Sequence, residues 1–179
     1  RRVAYVDESE RGSRVLLAGT VIVGDDAPAV RQVMLSARPA GVAVLHFHDL
    51  TDGEKRRALK VLREGTAEID IRATVYVRKR PEGESGLAAR WLLMQQIVVD
   101  CQTYGIHELV IERPGAEIDR HDARAIQQAR ARRPDRRLIY SHGTKSEPVL
   151  WIPDALAWAV GRGGEWTQHV PDWVGVKHL

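Results

Sequence analysis

The chain predicts an α/β fold: a mixed sheet of three antiparallel strands followed by two parallel crossovers. Helices cover both faces, and a helical insertion separates strands 2 and 3. Three observations carry this expectation. Two apolar runs lie close together near the start, at residues 2–7 and 14–23. A third run, residues 69–78, alternates Ile69, Ile71, Ala73, Val75 and Val77 with polar neighbours, the period of a half-buried strand. After it the pattern turns to helix, strand, helix, strand, helix, the order of parallel crossover units.

Each element has its own reason. In Arg2-Val-Ala-Tyr-Val-Asp-Glu-Ser9, Val3 and Tyr5 mark a strand ending at Asp7, with Glu8-Ser-Glu-Arg-Gly-Ser13 as a hairpin turn. Residues 14–23 are apolar almost throughout, as a central strand buried on both faces should be. Residues 28–37 read as a helix, and Thr51 or Asp52 can cap another that runs to about residue 64. A long helix, apolar around most of its circumference, spans about Glu84 to Tyr104 and stops at Gly105. Strand 106–112, a helix from about 120 to 132, strand 136–141 and a helix near 148–161 complete the chain. Pro153 either kinks that last helix or marks its first turn.

With 179 residues, the chain reads as a single domain, 1–179, with one core. One cysteine, Cys101, excludes an internal disulfide and reads as a core thiol. No run approaches the roughly 18 apolar residues of a membrane span. Neither a membrane partner nor a signal peptide is expected, which makes cytoplasm the expected location. A net charge of +3 and a basic pI permit a nucleic-acid partner. Arginine supplies 22 of the 27 basic residues. That suits phosphate contacts, although a GC-rich genome yields the same bias. A phosphate-binding Gly-rich loop, a dinucleotide fingerprint, a Gly-x-Ser-x-Gly elbow and paired Cys-x-x-Cys are all missing. Readings as ATPase, dehydrogenase, serine hydrolase or zinc finger lose weight accordingly.

Three acids stand beside core-forming residues: Asp7 after the first strand, Glu112 after Leu109-Val-Ile, and Asp154 on the stripe shared by Trp151 and Trp158. Taken singly, such an acid more often caps a helix or turns a loop. Together they form the oxygen-donor set that a hard cation needs, with a phosphoryl substrate completing its shell.

The order of elements is that of the ribonuclease H-like fold, whose nucleases place carboxylates at the ends of the first and fourth strands and in the last helix. Asp7, Glu112 and Asp154 match those places. The motifs Tyr5-Val-Asp-Glu-Ser9, Leu45-His-Phe-His-Asp-Leu50, Ile111-Glu112 and Pro153-Asp-Ala-Leu-Ala-Trp158 also resemble a bacterial family catalogued as domain of unknown function 3800, which is grouped with ribonuclease H-like proteins. The resemblance runs nearly end to end. It implies a Mg²⁺- or Mn²⁺-dependent nuclease in which Asp7, Glu112 and Asp154 hold the ions. One element departs from the pattern: ribonuclease H enzymes carry a catalytic Glu in the helix after the third strand, where this chain has only Glu84 and Asp100 at the helix ends. Glu8 or His46 would supply the missing group.

His46 and His48 would point to opposite faces or share one side according to the local backbone. The match to the family falls on His46, which would face the acids while His48 does not. A zinc site built on His46-x-His48 lacks further ligands, because His107, His121 and His142 are scattered. A basic region holds Arg120, Arg124, Arg130, Arg132, Arg133, Arg136 and Arg137. It is a solvated helix face or a ridge that tracks phosphates. Asp119 and Asp122 sit where helix caps belong. Four of the five tryptophans lie in the last 29 residues. Trp151 and Trp158, seven apart on one face, are expected to pack the last helix on the sheet rather than stack bases.

The sequence thus points to a metal-dependent nuclease acting on nucleic acid. Two alternatives stand beside it: a non-catalytic ribonuclease H-like binding or interaction module, and a His-x-His metal hydrolase of a small molecule. A protein partner or a homo-oligomer stays open.

Overall fold

The structure, a computed structural model, describes residues 1–12, 14–113, 115–134 and 137–179. Ser13 of the expected turn, and Arg136 of the expected basic end and last strand, fall outside them. Among the described residues, six strands form one sheet: β1 Val3–Arg11, β2 Val15–Val23, β3 Ile71–Lys79, β4 Glu108–Glu112, β5 Ile139–Gly143 and β6 Val174–His178. Their order is β5-β4-β1-β2-β3-β6. β1, β2 and β3 pair antiparallel, while β4 and β5 add to β1 in parallel, as expected. The sixth strand, parallel to β3, goes beyond the expected five. It is a mostly exposed edge that includes Gly175, so it carries little of the apolar signal that marks a strand.

The described residues form five α-helices that flank the sheet: α1 Ala27–Ala37, α2 Asp52–Gly65, α3 Gly86–Thr103, α4 Ala116–Ala131 and α5 Trp151–Arg162. α1, α2 and α5 share one core with the Tyr5, Leu17, Val21 and Val75 face of the sheet. α3 and α4 share another with the Ala4, Val6, Leu16 and Ala18 face. Cys101 lies in this second core, and burial pushes its thiol up to about 12, the inert thiol expected. Thr51 caps α2 in a reciprocal capping box with Glu54. Pro153 sits in the first turn of α5, where its missing N–H costs nothing, after a short 3₁₀ turn over Pro148–Leu150. Trp151 is buried in the first core, as expected, and Trp158 packs at its margin.

Several expected boundaries move. β1 does not end at Asp7 but runs to Arg11, because its pairing with β2 continues to Arg11↔Val15. The acidic and polar residues 8–10 hide this half of the strand. α4 starts at Ala116, four residues early, so Asp122 is no cap. It lies on the buried stripe Asp122, Ala125, Ile126 and Ala129. There, wholly buried, it accepts two hydrogen bonds from Arg90 of α3, at 2.7 and 2.6 Å. An ion pair this deep contributes little net stability when intact, but losing one partner strands a buried charge.

The contact that sets α5 on the sheet lies at Gly19 of β2. A Cβ there would fall on the Pro153 carbonyl group, 2.8 Å from its carbon. The two backbones touch because no side chain intervenes. Gly19→Ala must push α5 outward. The expected loss in urea unfolding is about 1–3 kcal/mol or more, the cost of overpacking a filled core. Unchanged stability would show that α5 is not seated by this contact.

Candidate active site

The pairing of β1 with β4 runs from Val3↔Glu108 to Val6↔Ile111 and stops. The next residue on each strand is an acid, Asp7 and Glu112. Both emerge where the two strands separate. Asp7 is flanked on its other side by Gly19, its partner on β2. That glycine carries Pro153, so Asp154 in the first turn of α5 is delivered to the same place. The expected convergence of Asp7, Glu112 and Asp154 therefore follows from one strand junction and one backbone contact. Asp7 and Glu112 share a hydrogen bond, and Asp7 feels the charges of both other acids. Asp154 in turn feels the charge of Glu112.

The insertion between β2 and β3 completes the arrangement. Its Phe47 N–H donates to Asp154 Oδ2 at 3.0 Å, which orients that carboxylate. The His46–Asp49 segment is not extended, since Phe47–Asp49 form a 3₁₀ turn. The outcome for the histidines is still the expected one. His46 Nδ1 lies 3.1 Å from Lys145 Nζ at the acids, while His48 is exposed.

Lys145 joins the site without any cue in its motifs. It stands in the loop between β5 and α5, with Nζ 3.3 Å from Glu112 Oε1. Its carbonyl accepts the Trp151 indole N–H at 2.7 Å. In the same loop Glu147 accepts from Arg31 of α1 at 2.9 and 3.0 Å, and Arg31 also donates to the Tyr5 hydroxyl. α1 thus braces the loop that carries the lysine.

Burial pushes the Asp7 carboxyl up, the hydrogen bond to Glu112 and the charges of Asp154 and Glu112 push it further, and it reaches about 9. Asp154 is raised by burial against the opposing pull of the Phe47 N–H and Lys145. For Lys145, burial acts downward. The combined attraction of Asp7, Glu112 and Asp154 and the hydrogen bond to Glu112 outweigh it, and the ammonium is held above its ordinary value. The site is an acidic cluster in which burial is the first cause of the raised Asp7 and Asp154 carboxyls. Among the described residues, however, no three His, Cys, Asp or Glu side chains stand ready-made around a single metal position.

Glu8 does not join the cluster. It lies on the other face of β1 and ion-pairs with Arg90, extending the Arg90–Asp122 pair to three members. Asp7, Glu8, Glu112 and Lys145 nonetheless line one cavity of about 200 Å³, with Leu93 and Met94 of α3 as its apolar wall. Asp119, in the first turn of α4, lies 3.5 Å from both His142 and Arg113. Glu84 and Asp100 are engaged elsewhere, with Arg78 and with Tyr76 and Lys177. The basic end of α4 lies away from the acids: 16 residues of helix, about 24 Å, separate its two ends. Arg113, next to Glu112 in the chain, and Arg120 and Arg124 of α4 are exposed.

No protein-family model matches the chain, so the resemblance to domain of unknown function 3800 rests on its motifs. No curated protein matches it. Solved structures do. The chain is similar to ribonuclease H2 from Pyrococcus horikoshii OT3, with 16% identity, 90% of this chain and 72% of that one covered, and a TM-score of 0.55. It is similar to ribonuclease HII from Archaeoglobus fulgidus, solved in complex with PCNA, with 14% identity, 89% and 72% coverage and a TM-score of 0.54. A point mutant of Bst-RNase HIII gives 13% identity, 89% and 51% coverage and a TM-score of 0.54. The fold is ribonuclease H-like.

Asp7 has a consequence for stability. Between its ordinary value of 3.8 and about 9 the folded metal-free protein binds more protons than the unfolded chain. This contribution therefore makes stability fall as pH rises through that window. Urea unfolding without divalent ions should show the decline from about pH 5 to about pH 9. Asp7→Asn should flatten it and be the more stable protein at the upper end by at least about 1.4 kcal/mol, one pKa unit's worth. A wild-type stability that rises over this range, with Asp7→Asn less stable throughout, contradicts the assignment.

Proposed function

We propose that the protein is a divalent-metal-dependent hydrolase of phosphodiester bonds in nucleic acid. The observation that carries the reading is the convergence of Asp7, Glu112 and Asp154 in one partly buried cluster, where burial first, and then the neighbouring acids, raise the Asp7 carboxyl. Carboxylate oxygens are the donors that Mg²⁺ and Mn²⁺ take, so the donor set fits the ion. Asp154 has Oδ2 committed to Phe47 and keeps Oδ1 for a ligand.

When bound, Mg²⁺ or Mn²⁺ supplies charge neutralisation at a phosphate and a more acidic water. The chain's own residues do the rest. Asp7, Glu112 and Asp154 hold the ion by their oxygens. The Phe47 N–H fixes the Asp154 carboxylate. His46, facing Lys145 at the cluster, is placed to move a proton to or from a reacting oxygen. The exposed Arg113, next to Glu112 in the chain, offers a cation for a phosphate backbone. Glu8 serves by holding Arg90, not by binding the ion. The named activities of the similar structures, ribonucleases HII, H2 and HIII, support the substrate class.

A second reading, a non-catalytic ribonuclease H-like binding module, draws on Lys145, whose ammonium already supplies a cation to the cluster. The His-x-His hydrolase loses its basis, because His46 turns inward and His48 outward.

The test is cleavage of RNA–DNA hybrid, duplex DNA and single-stranded RNA with Mg²⁺ or Mn²⁺. Asp7→Asn keeps the shape and loses the charge. It should lower the rate by at least about a hundredfold, equivalent to about 2.7 kcal/mol of transition-state stabilisation. Wild-type cleavage no greater than the Asp7→Asn background on every substrate would select the binding module.

A further inference from the structure

Lys145 differs from the other cations of the chain in where it sits and how it is held. It is one of five lysines among 27 basic residues, and its side chain is one-third exposed, at 33%. Glu112, its partner, is 17% exposed, and Asp7 is buried at 8%. The ammonium therefore bridges the acids and open solvent. Its backbone is fixed. The Trp151 indole holds the Lys145 carbonyl, the Glu147 N–H donates to the Thr144 carbonyl at 2.9 Å, and Arg31 holds Glu147. Only the side chain is free to move, and a four-carbon stem with a compact charge moves more readily than a planar guanidinium fork.

The charges say why it would move. Three acids face one ammonium, which lies 3.3 Å from Glu112. An ion of charge +2 in place of the ammonium matches the charge of the three acids more closely. Two cations cannot share the space among these acids without mutual repulsion. Lys145 lines the same cavity as Asp7 and Glu112, so a phosphate bound there would meet the displaced side chain.

We propose that Lys145 is the resident cation of this site: its ammonium occupies the Asp7, Glu112 and Asp154 cluster in the metal-free protein, is displaced when a divalent ion enters, and then contacts the phosphate of the substrate. This rests on the metal-dependent reading above and adds a positioning residue to it. It makes metal occupancy and phosphate capture one coupled step, in which the ion that fills the acids also frees the group that holds the anion.

Two measurements, neither of them activity, test it. The first is Mn²⁺ binding by the electron paramagnetic resonance signal of the free ion. Lys145→Met should bind Mn²⁺ at least about tenfold more tightly than wild type, the effect of removing one competing charge at close range. Lys145→Arg, which keeps the charge, should bind no more tightly than wild type. The second uses the unaltered protein, so it stands even if Lys145→Met fails to fold. Amine acylation read by mass spectrometry should modify Lys145 severalfold faster with Mg²⁺ than without, while Lys177, ion-paired to Asp100, stays constant. Equal or weaker Mn²⁺ binding by Lys145→Met, or no rise in Lys145 acylation with Mg²⁺, overturns the displacement while leaving the metal site standing. Mn²⁺ binding by neither wild type nor Lys145→Met overturns both.

Discussion

The contact between Gly19 and Pro153 is the constraint on which the site depends. Helices normally stand off a sheet by the thickness of two side chains. Here the first turn of α5 rests directly on β2, because Gly19 offers no Cβ. The close approach falls opposite Asp7 in the strand register, and Asp154 follows Pro153 in the chain. One missing side chain thus converts a packing contact into the juxtaposition of two carboxylates from opposite ends of the sequence. Glu112 arrives independently, at the point where β4 leaves β1.

Bringing these acids together opposes folding, since burial and mutual repulsion both disfavour the charged forms. The structure offsets that cost locally. Asp7 accepts the Glu8 N–H at 2.7 Å, Asp154 accepts the Phe47 N–H, and Lys145 supplies a positive charge. Two of the three devices come from segments outside the sheet: the insertion between β2 and β3, and the β5–α5 loop. The Arg31 bond to Glu147 ties these segments together. The insertion therefore belongs to the site as much as the strands do. On the opposite face, the half-buried Glu8 joins the buried Arg90–Asp122 pair in a network that ties α3 and α4 to β1.

Much of this is legible in the sequence, for definable reasons. Apolar runs that end in an acid mark strands reaching a site, and that pattern picks out Asp7 and Glu112. Asp154 stands out because a carboxylate on a stripe shared by two tryptophans needs a partner. The extent of β1 is hidden because residues 8–10 are polar, although backbone pairing with β2 holds them in the strand. Glu8 is drawn to the acids by its neighbour in the chain. Strand alternation sends it to the other face, where Arg90, an arginine within an apolar helix, is the visible cue to a buried partner. Gly19 inside an otherwise apolar strand is a readable sign of close backbone approach. Lys145 gives no such sign beyond being a lysine in a chain rich in arginine, because its role comes from a loop whose path only the tertiary structure fixes.

Everything proposed for the site depends on Asp7, Glu112 and Asp154 together holding a divalent cation. The most direct measurement is anomalous diffraction from crystals of the protein soaked in Mn²⁺. The expected map has a manganese peak bonded to oxygens of all three residues, with the Lys145 side chain turned away from Glu112 toward solvent. A map with no manganese at the cluster and Lys145 still against Glu112, in crystals saturated with the ion, would contradict it.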